Sequence, residues 1–262
     1  MKYRLAEDAR PQLKLLLIAT LVTLALWFLP YTGILTYPIR LFVTFIHEGS
    51  HVLAALLTGG SVQSLTIGAD GSGMVYSVPS GWLGALITSS AGYLGSTAFG
   101  VLLLLLIRKA VSARNVLFGS AAFIAAMTIL FGILSPLWNL FSLQVGFLNI
   151  AFTVAAGAAL TAGLFALGKY TSERTANFAV AFLAIQCLLN AVFDLKTLLF
   201  INSPIGGMDL QNDATNMAGA TGIPAFAWVL IWIGISILMI SVGLRFYAVN
   251  QKSKQADLPF ED

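Results

Sequence analysis

Residues 41–57 read LFVTFIHEGSHVLAALL, an apolar run carrying His47, Glu48 and His51. Thr58-Gly59-Gly60 follows and ends it, as glycines do at helix C-termini. At about 3.6 residues per turn, histidines four apart share one helix face and lie about one turn apart. Two imidazoles so placed can hold one zinc ion through ring nitrogens. Glu48 follows the first histidine and comes near the metal without ligating it. A general base belongs there, to take a proton from a zinc-bound water. The plainer alternative is a pair of core histidines satisfied by hydrogen bonds. Against it, these are the only two histidines in the chain. A glutamate and two imidazoles are also costly to bury in an apolar helix without a partner.

The rest of the chain is as apolar as this helix. Of 262 residues, 58% are hydrophobic and 10% charged, and the mean hydropathy is +0.88. A soluble domain carries about 25% charged residues. The chain is therefore an integral, multi-pass membrane protein, and long unbroken apolar runs favour helices over a barrel. The net charge of +3 does not indicate nucleic acid. Basic residues gather at the ends of apolar segments, where they meet water and lipid headgroups. The single cysteine, Cys187, excludes an intramolecular disulfide and a cysteine-rich zinc site.

The expected architecture is all-α and polytopic, with about six to seven transmembrane helices and a short β-hairpin after the histidine-bearing helix. Residues 1–12 are polar and read as lying at the membrane surface. Lys2, Arg4, Arg10 and Lys14 precede or open the first apolar segment, 13–29, which Pro30 stops. No small-residue cleavage site follows, so the segment reads as a retained helix. Pro38 opens the second helix, 38–58. Residues 61–80 alternate polar and apolar around Ala69-Asp70-Gly71-Ser72-Gly73 and read as a hairpin. Further segments follow at 81–107, 116–134 (closed by Pro136), 145–167, 176–200 and 224–244. The first half of 81–107 is dense in small residues, which let helices pack closely in lipid. Trp138, Asn139 and Phe141 read as interfacial. Residues 201–223 read as a loop. Residues 1–250 form one transmembrane domain, and 251–262 a polar tail. With seven spans, the basic loops 108–114, 169–174 and 245–254 share one side while the basic N-terminus falls on the other. The positive-inside rule then conflicts with itself, unless one segment fails to cross.

Two histidines do not complete a catalytic zinc site, which takes three protein ligands and keeps one position open. A carboxylate is the natural third. Gln186, Asn190 and Asp194 are spaced by four and share one face of the 176–200 helix. Asp194 is the preferred candidate, because an unpaired aspartate there is costly and a metal offsets that cost. Asp209 and Asp213, in the loop, are the alternatives, and read first as solvated or capping residues. Asn190 is placed to hydrogen-bond substrate or to orient the aspartate.

These residues resemble the site-2 protease family of intramembrane zinc metalloproteases, in its small B-like branch of bacteria and plastids. The matching stretches are Phe45 to Gly60, the Asp70-Gly71-Ser72-Gly73 turn, Ser90 to Gly95 and Gln186 to Leu195, with a looser likeness from Asp213 to Trp228. The resemblance implies zinc held by His47, His51 and Asp194, with Glu48 as base, in a bacterial inner membrane. It implies a membrane-embedded hairpin at 61–78 that offers its edge to an extended substrate. Substrates would be membrane-spanning helices or membrane-anchored peptides, cleaved within the bilayer. The other readings are a non-proteolytic scaffold or chaperone retaining the metal site and, more weakly, a transporter. A transporter would show repeated half-helices, and no internal repeat is present.

Overall fold

The computed structural model describes residues 9–28, 33–109, 111–139, 146–204 and 210–248. The N-terminal residues 1–8, Pro30, Phe141, Asp209 and the tail 251–262 lie outside that set. The elements are α1 (Ala9–Phe28), α2 (Gly33–Leu57), β1 (Ser61–Ile67), β2 (Gly73–Val78) and α3 (Gly81–Arg108). They continue with α4 (Ala113–Trp138), α5 (Phe147–Tyr170), α6 (Glu173–Ile201), α7 (Asp213–Thr221) and α8 (Ala225–Ala248). Among the described residues, α2 to α6 and α8 are long and apolar enough to cross a membrane. The protein is thus a helical, integral membrane protein with one small antiparallel hairpin.

Two prolines act differently from the sequence expectation. Pro38 lies inside α2 and does not open it; it removes one backbone donor in the second turn, and the helix runs through. Pro136 does not end α4. Residues Thr128–Leu134 form a π-helical segment, and Pro136 then falls at the first positions of a fresh α turn. A missing N–H is tolerated there. The loop expected at 201–223 contains α7.

Small residues set the spacing between helices. A Cβ on Gly95 of α3 would collide with the Ser50 hydroxyl of α2, and one on Gly100 with Leu188 of α6. On α5, a Cβ at Gly157 would meet Thr128 within the π segment. The core between these helices contains Phe42, Phe45, Ile46, Leu104, Leu117 and Ile124, all fully buried, together with Cys187 of α6. Thr23 of α1 is buried and accepts a hydrogen bond from Gln186 Nε2 of α6 at 2.9 Å.

The hairpin is fastened on both sides. Its register runs from Ser61 opposite Val78 to Ile67 opposite Gly73, with an irregularity between Val62 and Ser64. At that bulge, Ser135 Oγ of α4 lies 2.7 Å from the Val62 carbonyl and 2.8 Å from that of Gln63. Farther along β1, the Ile67 N–H donates to Thr153 Oγ1 of α5 at 2.7 Å. The turn is tied to α2, with Tyr37 Oη donating to the Ala69 carbonyl (2.6 Å) and Thr44 Oγ1 to that of Gly71 (2.9 Å). Gly71 has φ +83°, which suits glycine. Asp70 Oδ1 accepts from the Ser72 hydroxyl and N–H, and these bonds hold its carboxyl below the usual value. One strand is therefore clamped to the bundle, and β2 forms the free edge.

Candidate metal centre

His47 and His51 stand on the face of α2 that meets α3, with their Nε2 atoms 3.2 Å apart. His51 Nδ1–H donates to the Thr88 carbonyl of α3 at 2.6 Å. A carbonyl can only accept, so Nδ1 carries a proton, and Nε2 is the nitrogen turned towards His47 and the cavity. The His47 ring meets Tyr93 edge-on, with centroids 4.7 Å apart, and Tyr93 stacks on Trp232 of α8 at 5.5 Å. Trp232 Nε1 in turn donates to Ser90 Oγ (3.1 Å). Gly92 of α3 sits against the two imidazoles, where a Cβ would run into both Nε2 atoms. Space at the nitrogens is kept by the absence of a side chain.

The third donor comes from α7. Asp213 Oδ2 lies 3.3 Å from His51 Nε2 and 3.6 Å from His47 Nε2. Burial pushes its carboxyl up, but His51 and His47 more than offset this and hold it below the usual carboxylate range. Among the described residues, His47, His51 and Asp213 form the group whose donor atoms could share one metal ion. Two imidazole nitrogens and one carboxylate oxygen are a zinc-compatible set.

Asp213 is placed by the start of its helix. The Asn212 side chain accepts from the N–H groups of Ala214 (3.0 Å) and Thr215 (3.1 Å), while Thr215 Oγ1 accepts from the Asn212 N–H (2.8 Å). This reciprocal cap fixes Asp213 at the first helical position. At the far end, Trp82 Nε1 donates to the Ala220 carbonyl and Trp228 Nε1 to Thr221 Oγ1, both at 2.9 Å. Indole donors from α3 and α8 thus hold α7 over the histidines.

The sequence reading placed Asp194 with the histidines; the described residues place Asp213 there instead. Asp194 belongs to the α6 wall of the same cavity, with Asn190, Thr197 and Leu198. The difference arises because α7 is only nine residues long and built mostly of small or polar residues, too short for a sequence reading to separate it from a loop. The local signal for it was Asn212 followed three residues later by Thr215, a helix-start pattern. Asn190 lines the cavity too, but its Nδ2 is spent on Gln186, at 2.9 Å from the carbonyl and 3.2 Å from Oε1.

Glu48 is 6% exposed and lies directly against the backbone of Gly73, where a Cβ would strike its carboxylate. The cavity, about 820 Å³, is bounded by Glu48 and the histidines, by β2 from Gly73 to Ser77, and by α6 and α7. A metal set, a carboxylate beside it and a free strand edge therefore face one space.

The family model described as Peptidase M50B-like matches residues 17–243. No curated protein and no solved structure matches the chain.

Proposed function

The chain belongs to the Peptidase M50B-like family, and from that premise we propose that it is an intramembrane zinc metalloendopeptidase. The observation that carries the reading is the convergence of His47, His51 and Asp213 beside the Glu48 carboxylate, in a cavity walled by membrane helices. His47, His51 and Asp213 would hold the zinc. When bound, the metal supplies Lewis-acid polarisation of the scissile carbonyl and makes water acidic enough to be deprotonated near neutral pH.

The protein's own groups do the rest. His51 is held through Nδ1 by the Thr88 carbonyl. Glu48 accepts the proton of the attacking water and passes it to the leaving amine. Its burial and its seat against Gly73 keep it aimed into the cavity. An extended substrate adds to the outer edge of β2, where main-chain groups give affinity without a fixed sequence. Substrates of this site are membrane-spanning or membrane-anchored peptides, since the cavity lies among helices suited to the bilayer.

Zinc content and cleavage, measured on the detergent-purified protein, test the reading. Wild type is expected to hold about one zinc per chain, and His47→Ala and Asp213→Ala to lose it. Glu48→Gln is expected to keep zinc and to lose at least about 100-fold in cleavage of transmembrane peptides. If Asp213→Ala keeps its zinc while Asp194→Ala loses it, the ligand set is that of the sequence reading. A wild type that binds zinc yet cleaves nothing favours a scaffold.

A further inference from the structure

The cavity holds a carboxylate that the reaction leaves unused. Of the acidic side chains lining it, Glu48 serves as base and Asp213 sits with the histidines, but Asp194 does neither. Asp194 stands on α6 with Asn190 one turn before it and Thr197 three residues after, both lining the same space. It lines one cavity with His47, Glu48 and Tyr93. Among the described residues it has no hydrogen bond or ion pair inside 4 Å.

Nearby cations of the protein do not serve it. Lys196 projects elsewhere, with its ammonium over the Phe193 ring at 5.7 Å. Arg40 also lines the cavity, but at the hairpin turn, against Gly71 and 5.3 Å above the Tyr37 ring. Asp194 is exposed to the cavity it lines, so its carboxylate is open to a cation that enters with the substrate. We propose that Asp194 is a specificity residue, receiving a cationic side chain or amine of the peptide substrate beside the scissile bond. This rests on the peptidase reading for its substrate class, and adds the charge that the substrate carries.

The test uses full-length protein with the Glu48→Gln exchange, so that binding is read without turnover. The probes are three fluorescent membrane-anchored peptides, alike except for lysine, norleucine or glutamate at each position flanking the scissile bond. At one position the lysine peptide is expected to bind at least about fivefold tighter than the glutamate peptide, the size of one partly screened charge pair. Adding Asp194→Asn should bring the two within about twofold, and Asp194→Lys should invert the order, with zinc content kept throughout. A lysine preference that ignores Asp194, no preference, no peptide binding, or loss of zinc in Asp194→Asn each overturns the proposal. Cleavage of the same peptides by protein with Glu48 intact is scored separately. Charge-dependent binding without cleavage would sink the peptidase reading and leave the cationic subsite standing.

Discussion

Gly92 shows how much one missing side chain decides. It faces the Nε2 atoms of both histidines from the neighbouring helix, and any Cβ there enters the space that a metal would occupy. Alanine is the better helix former by about 1 kcal/mol, so Gly92→Ala should keep the fold while lowering zinc affinity at least about tenfold. Gly163→Ala, with open space around its Cβ position, should leave affinity unchanged. Chelator competition on the two purified variants separates the outcomes, and equal affinities would remove Gly92 from the site. The histidines and Glu48 were legible in the sequence because their relation is local: four residues, one helix face. Gly92 was legible only as a small residue that lets helices approach. Which atoms it approaches depends on how α3 meets α2, and no short-range pattern records that. The same holds for Asp194 and Asp213, which a reading of apolar periodicity could rank only by the helix each seemed to occupy.

Among the elements, α7 is the least visible in the sequence and the most consequential for the site. The hairpin announced itself through alternation and Asp70-Gly71; the membrane helices through their length. Helix α7 has nine residues and neither signal, so its existence rests on its cap and on tryptophans donated by other helices. Removing the cap with Asn212→Ala should cost about 1 kcal/mol of helix stability. Because Asp213 is the first residue of that helix, the loss should appear as roughly fivefold weaker zinc binding. Asn212→Ser, which can still cap, should restore most of it. Zinc titration at fixed chelator checks both variants, and an unchanged Asn212→Ala would show that the tryptophans alone position the carboxylate. The π segment of α4 has a comparable part on the opposite side. It leads directly into Ser135, whose hydroxyl meets both carbonyls at the β1 bulge, and so leaves the free edge to β2.

At the scale of the molecule, successive crossings sort the chain ends into two groups. The end of α3, the start of α4, the end of α5, the start of α6 and the end of α8 share one side, where Arg108, Lys109, Arg114, Lys169, Arg174 and Arg245 lie. The end of α2, the start of α3 and α7 belong to the other, and the hairpin runs back from there along α2 to its turn at Tyr37 and Thr44. The sequence alone left the basic N-terminus at odds with this. Helix α1, Ala9–Phe28, carries Arg10 and Lys14 in its first two turns. If α1 stays on its own side, Lys14 joins the other basic residues. In sealed vesicles, an impermeant maleimide should then label Lys14→Cys and Ser112→Cys from one face and Ser80→Cys from the other, all three positions being exposed. Labelling of Lys14→Cys together with Ser80→Cys would mean that α1 crosses. Such an experiment needs a silent background, and the native chain provides one. Cys187 is its sole thiol and is wholly enclosed, so each introduced cysteine reports alone. The same enclosure makes the unaltered protein its own strain gauge: Cys187 should react only when α6 parts from its neighbours, and its alkylation rate would time the breathing of the bundle around the site.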